Sequence, residues 1–206
     1  FFKKTLNLKS DFKLALSSLI YIQMKTCDWV DYVQGYKNYK SNIPNIHYPF
    51  TSLSILNSPL DQKIISEAYI NEYYPEKNEL GPIREITKNN KIIVAYFSND
   101  FGDHPVTYLI SELIERHSRN DFEVIGVYYG PKRTDKVYEK ISKSFDKFFD
   151  INTKSDKDVA IFCRNLKIDI AVDLTGHTSG GRVGIFSYRV AKIQMSYIGY
   201  LGTMGA

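Results

Sequence analysis

Apolar and polar positions change their rhythm at Lys91. From there short apolar runs alternate with longer stretches of helical periodicity. KIIVAYF (91–97) reads as a buried strand, and PVTYLISELIERH (105–117) carries Val106, Leu109, Ile110, Leu113 and Ile114 at helical spacing behind Pro105, a favoured first helical residue. FEVIGVYY (122–129), KFFDI (147–151), IDIAVDL (168–174) and KIQMSYI (192–198) read as further strands. Helices are predicted between them, over about 134–144, 155–166 and 181–188. Five strands alternating with helices predict parallel βαβ units with right-handed crossovers, a Rossmann-like doubly wound sheet.

Before Lys91 the pattern is helical and less regular. Ser10-Asp11 can cap a helix from about Phe12 to Met24, and a second is predicted from Asp28 to about Tyr39. Residues 41–58, with Pro44, Pro49 and several Ser and Asn, read as a connector with at most a short helical turn. Pro59 opens PLDQKIISEAYINEYY, which stops at Pro75, and the polar PEKNELGPIREITKNN reads as a linker. The expected organisation is a small all-α segment (1–40), a helical connector and linker (41–88) and an α/β domain (89–206).

Composition narrows the function. With 43% hydrophobic residues among 206, a normal core is within reach, which argues against global disorder. A net charge of +4 from 27 basic and 23 acidic residues spread along the chain argues against nucleic acid or a membrane surface as the main partner. The lysines of PKRTDKVYEKISKSFDKFF alternate with Val137, Ile141 and Phe145, as on a solvated outer helix face. Cys27 and Cys163 are far apart and read as two small buried residues of a reducing compartment. No secretory signal is legible and LALSSLIYI is too short to cross a bilayer, so a soluble cytoplasmic protein is expected. A first residue Phe and a glycine-rich end, YLGTMGA, suggest a piece of a longer chain.

In a parallel sheet all C-terminal strand ends open on one edge, where ligands bind. Three of the five ends are unusual: Ser98–His104, Asp173–Arg182 and Gly199–Gly205; those after the second and third strands read as ordinary turns. His104 and His177, each four residues after an aspartate (Asp100 and Asp173), converge there with most of the loop glycines. Singly, each has a plainer explanation: a hydrogen-bonded loop histidine, a turn-capping aspartate, a glycine at positive φ. Together they mark a site. His47 and His117 read as structural. A metal centre is not expected: there is no His-x-x-x-His and no cysteine pair, and Asp100 and Asp103 do not form Asp-x-Asp. GHTSGGR instead suits a phosphate held by backbone N–H groups at a helix start, with Arg182 adding charge. It is not a dinucleotide fingerprint, since no G-x-G-x-x-G follows the first strand.

SNDFGDHPV, DLTGHTSGGR and QMSYIGYLGTMGA resemble, in order and spacing, the first half of the catalytic region of the O-GlcNAc transferase / SPINDLY family, glycosyltransferase family 41. FFKKTLNLKSDFKLALSSL is similar to the end of that family's tetratricopeptide array, with Ser10 where the repeat usually has proline, and CDW (27–29) and HYPF (47–50) resemble its following segment. The resemblance implies the N-terminal lobe of a GT-B enzyme that moves N-acetylglucosamine from UDP-GlcNAc to protein Ser or Thr, inverting and without metal or other cofactor. The C-terminal lobe, with most of the nucleotide surface, is missing from this chain. By motif position the resemblance makes His104, Asp173 and His177 catalytic. It sets Asp100, Thr178, Arg182, Gly202, Thr203 and Gly205 at the substrates, with Thr203 and Gly205 approaching the donor through their backbone. The sequence departs from the family at Arg189–Gln194 (RVAKIQ for RPAPIQ) and at Leu201, where the family has proline. Two alternatives stay open: a transferase of the same fold acting on asparagine or a small glycan, and an inert protein-binding module.

Overall fold

A computed structural model of the chain describes residues 1–43, 48–83, 85 and 91–206. His47 and the linker residues Arg84 and 86–90 lie outside the described residues. Contacts divide the chain into two compact units, Phe1–Pro75 with Gly202–Ala206, and Glu76–Leu201. The sequence pattern sets boundaries at 40 and 88.

Among the described residues the first unit holds five α-helices: α1 (Phe2–Leu8), α2 (Lys13–Lys25), α3 (Tyr32–Ser41), α4 (Pro49–Ile55) and α5 (Pro59–Tyr73). Ile20, Tyr39, Ile43, Ile55, Leu56 and Ile65 form its core. Segment 41–58 therefore supplies a packed helix, started by Pro49 at its first position, where the missing N–H costs nothing. Ser10-Asp11 does not cap α2, whose N-cap Phe12 offers no side-chain acceptor. Ser58 does cap α5, accepting from the Asp61 N–H at 3.2 Å. Cys27, expected buried, is exposed in the turn after α2 at φ 55, while Cys163 is buried and its thiol is pushed up to about 12 by desolvation.

The second unit is the predicted α/β domain. Strands β1 (Ile92–Ser98), β2 (Phe122–Tyr128), β3 (Lys147–Asp150), β4 (Ile170–Asp173) and β5 (Ile193–Ser196) alternate with helices α6 (Pro105–Arg116), α7 (Lys136–Ser144) and α8 (Asp156–Asn165) and with a 3-10 turn, Val183–Tyr188. All pairings are parallel, in the order β3-β2-β1-β4-β5. The central strands β1, β2 and β4 are buried on both faces and so read as continuous apolar runs, while the edge strands β3 and β5 are partly exposed. On one face Val94, Tyr96, Val124 and Val172 pack against Val106, Ile110 and Ile114 of α6 and Ile141 of α7. On the other, Ala95, Phe97, Ile125, Val127 and Ala171 pack against Val159, Ala160 and Cys163 of α8 and Ile185 and Tyr188 of the 3-10 turn. The stripe of α6 is narrower than its sequence suggests: Leu109 and Leu113 are exposed. Ser155 and Asp135 cap α8 and α7, accepting from Asp158 N–H (3.2 Å) and Tyr138 N–H (2.8 Å).

This order sends the chain outward from β1 in both directions. The loop after β1 leads to a helix on one face and the loop after the neighbouring β4 to the turn on the other. Between those two loops the sheet has its topological switch point, the place at which open α/β sheets form a ligand crevice outside the carboxyl ends of the strands.

Candidate functional site

The loop after β1 is built by the first turn of α6. The Thr107 hydroxyl donates to the Asp100 carbonyl (2.7 Å) and accepts from the Gly102 N–H (3.1 Å). The Asp100 N–H donates to the Ser98 Oγ (2.9 Å). Gly102 lets the Arg133 side chain lie close across the loop: a Cβ there would stand 2.5 Å from Arg133 Cδ, so the arginine would have to move. His104 closes the loop as the N-cap of α6, its Nδ1 accepting the Val106 N–H at 3.3 Å. A backbone N–H can only donate, so Nδ1 carries no proton and the neutral imidazole carries its proton on Nε2. Nε2 faces Asp100 Oδ1 across 3.8 Å, a distance beyond a hydrogen bond and open to a third group. Burial raises the Asp100 carboxyl above its ordinary value, against the opposing pull of His104 and Arg133.

The loop after β4 is built by Asp173. This residue is 4% exposed, and its Oδ1 accepts from the N–H groups of Thr175 (2.9 Å) and Gly176 (3.1 Å). Its Oδ2 is buried without a hydrogen-bond partner among the described residues. Desolvation raises its carboxyl above the ordinary range, and the two backbone N–H groups pull the other way. His177 stands edge-on to the Tyr200 ring, centroids 5.0 Å apart at 85°. The Thr178 hydroxyl closes a local turn by donating to the Thr175 carbonyl (2.8 Å).

Asn99 joins the two loops across the switch point. It accepts from the Thr175 hydroxyl (3.0 Å) and donates through Nδ2 to the Ser179 carbonyl (3.1 Å). Gly180, at φ +80, makes that approach possible, since a Cβ there would lie 2.2 Å from Asn99 Nδ2.

The expected site residues thus divide. Asp100, His104, Asp173, His177 and Thr178 share the C-terminal edge. Arg182 has another occupation: its guanidinium bonds Asp156 Oδ1 (2.8 and 2.6 Å) and the Lys154 carbonyl (2.8 Å) at the start of α8. The segment after it is a 3-10 turn of six residues, too short to offer a phosphate the amide cluster of an α-helix start. Gly202, Thr203 and Gly205 belong to the first unit, where the Gly205 N–H donates to Thr203 Oγ1 (3.3 Å). Sequence reasoning missed Asn99, Arg133 and Tyr129. The turn after β2, which read as ordinary, supplies both Tyr129 and Arg133; strand adjacency, β2 beside β1, is the signal that could have found them. Among the described residues no group of three or more His, Cys, Asp or Glu is placed to hold a metal ion, and no helix is long and apolar enough to cross a membrane.

A doubly wound parallel sheet with acidic and histidine side chains in the loops at its switch point defines a Rossmann-like α/β domain. Its sequence matches the profile of glycosyl transferase family 41 over residues 75–206, and the chain belongs to that family. It is 30% identical over 125 residues to a protein of Arabidopsis thaliana named probable UDP-N-acetylglucosamine–peptide N-acetylglucosaminyltransferase SEC, covering 61% of this chain and 13% of that one. It is 28% identical over 163 residues to the Arabidopsis SPINDLY protein of the same designation, covering 75% of this chain and 18% of that one. The chain thus spans less than a fifth of the length of these relatives. A solved mutant of the Thermobaculum terrenum O-GlcNAc transferase shares the fold, with a TM-score of 0.71 and 20% identity over 99% of this chain and 40% of that one.

Proposed function

We propose that the chain is the acceptor-side lobe, with the tail of a tetratricopeptide array, of an inverting and metal-independent transferase that moves N-acetylglucosamine from UDP-GlcNAc to Ser or Thr of proteins. The observation that carries this reading is the placement on one sheet edge, in the loops that flank the switch point, of the His104 imidazole and the buried, under-bonded carboxylate of Asp173. The names of the relatives support the donor and the acceptor class.

In such a transfer the acceptor oxygen bonds to the anomeric carbon as the bond to the UDP oxygen breaks, and UDP leaves with the electron pair. The acceptor hydroxyl must release its proton. His104, with Nδ1 held by the helix, meets an oxygen through Nε2–H and so orients it. Asp173 receives the proton, and its burial, which favours the neutral acid, makes it a stronger base than a solvated aspartate. The test is transfer from UDP-GlcNAc to a protein acceptor by the whole enzyme carrying this lobe, followed by mapping of the modified residue. Sugar on Ser or Thr supports the reading; transfer only to asparagine or to a small glycan, or no transfer at all, overturns it.

A further inference from the structure

Tyr129 follows β2 and is 5% exposed, its N–H donating to the Ser98 carbonyl (3.1 Å) at the mouth of the crevice. A buried phenol normally finds a hydrogen-bond partner. This one completes no bond of normal geometry among the described residues. Its ring lies beneath the Arg182 guanidinium, centroid to Cζ 5.9 Å, and Arg182 is already paired with Asp156. The hydroxyl comes near Thr175, whose backbone N–H holds the other oxygen of Asp173. Strand parity agrees. Tyr129 continues the face of Ile125 and Val127, and register carries that face through Phe97 to Asp173.

A third polar atom joins them. Ser196 is the β5 register partner of Asp173, so its side chain stands on the same face, and its Oγ is also buried and unbonded among the described residues. Two hydroxyls and one carboxylate oxygen thus lie on one face of the sheet, Tyr129 and Ser196 on either side of Asp173, each without a hydrogen-bond partner among the described residues. A buried water needs two to four polar partners, and these supply donors and an acceptor. Nothing apolar could satisfy them, and leaving a carboxylate oxygen bare in such surroundings is costly.

We propose that Tyr129 is a positioning residue for Asp173, its hydroxyl and the Asp173 Oδ2 holding one water between them at the head of the sheet. The water gives the carboxylate a donor that its own loop does not provide and fixes Oδ2 in direction. The charged groups bearing on the phenol are Asp173, Asp100 from the loop after β1 and Arg182 with its partner Asp156; His177 shares the Asp173 loop. The inference rests on the reading of Asp173 as proton acceptor but does not need transfer to be tested.

Tyr129→Phe keeps the ring and removes only the hydroxyl. Titration of the Asp173 carboxyl carbon by NMR, on the 206-residue chain without donor or acceptor, should show its midpoint rising by about one pH unit, roughly tenfold tighter proton binding, with melting nearly unchanged. A high-resolution crystal structure of the wild type should show an ordered water within hydrogen-bond distance of both Tyr129 Oη and Asp173 Oδ2. An unmoved or lowered midpoint overturns the proposal, as does the lack of that water. In the whole enzyme the acidic limb of kcat should move up with the midpoint. If the midpoint moves and the limb does not, Tyr129 still positions Asp173, and the role given to Asp173 in transfer is what fails.

Discussion

The Val106 N–H donates to Nδ1 of His104 across 3.3 Å, so one histidine is at once the cap of α6 and the donor of an Nε2–H into the crevice. The two duties can be separated, because capping needs any short acceptor and orienting a substrate oxygen needs this imidazole.

His104→Ala should destabilise the domain by about 1 kcal/mol through the lost cap and lower transfer by the whole enzyme on the order of 100- to 10,000-fold. Asn is an equally good cap. His104→Asn should therefore melt close to the wild type and yet stay as slow as the alanine variant. Melting and saturating-donor rates measured side by side check this. An asparagine variant that recovers transfer would show that the cap, and not the imidazole, is what matters.

His117 provides the contrast. Its Nε2 lies 2.8 Å from the Tyr96 hydroxyl at the far end of α6, and its ring packs on Phe122. Removing it should cost stability of about 1 kcal/mol, one hydrogen bond, and leave transfer nearly intact. Burial lowers its pKa, helped by the charge of Arg119 and opposed by Asp146. The unfolded chain then takes up a proton near the ordinary value of about 6.5 before the folded one does. Stability should therefore fall as pH drops below about 6.5 and level off below the lowered folded value. Denaturant midpoints between pH 7 and 5 should show this component in the wild type and lose it in His117→Ala.

The chain spans 40% of the solved transferase whose fold it shares, and the resemblance to family 41 sets the donor diphosphate on that family's C-terminal lobe. Calorimetry of residues 1–206 with UDP should find no micromolar binding. A micromolar constant would relocate the leaving-group site to the crevice described above.

How far the sequence speaks depends on the range of the interaction. The strands were legible because each buried run, such as IIVAYF, is bounded by turn residues within a few positions. The site edge was legible because every parallel strand delivers its loop to the same side. What escaped were pairings set by adjacency across the sheet. Arg182 looked free in GHTSGGR, but its partner Asp156 is 26 residues away on α8. Tyr129 ends the second strand run, and only the β1–β2 and β1–β4 registers place it on the face of Asp173. Asn99 lies in a strand end that the sequence marks as unusual, but its bonds to Thr175 and Ser179 follow only from β1 and β4 being neighbours. The shorter departures have local causes. Segment 41–58 looked like a connector because its α4 has only seven residues, and Cys27 faces solvent because the chain turns at positive φ there.

Asp173 offers the sharpest prediction, because stability and function should move in opposite directions. In Asp173→Asn the amide oxygen can still accept the N–H groups of Thr175 and Gly176, and the amide nitrogen can donate toward the space facing Oδ2. The variant removes a buried charge and keeps the loop's bonds. The folded pKa of Asp173 lies above its unfolded value, so the residue favours folding fully only below the unfolded value of about 3.9. That contribution is lost as pH rises through the folded pKa, and above it the desolvated carboxylate weighs on the fold. Asp173→Asn should therefore melt above the wild type at pH 7, and the gap should close as the pH is lowered toward 4. Transfer by the whole enzyme should fall on the order of 100-fold or more, since an amide cannot take the acceptor's proton. Active sites commonly hold such destabilising groups because the chemistry needs them. Were the asparagine variant to melt below the wild type at pH 7 while retaining most of its transfer rate, Asp173 would be a loop-capping residue and no more.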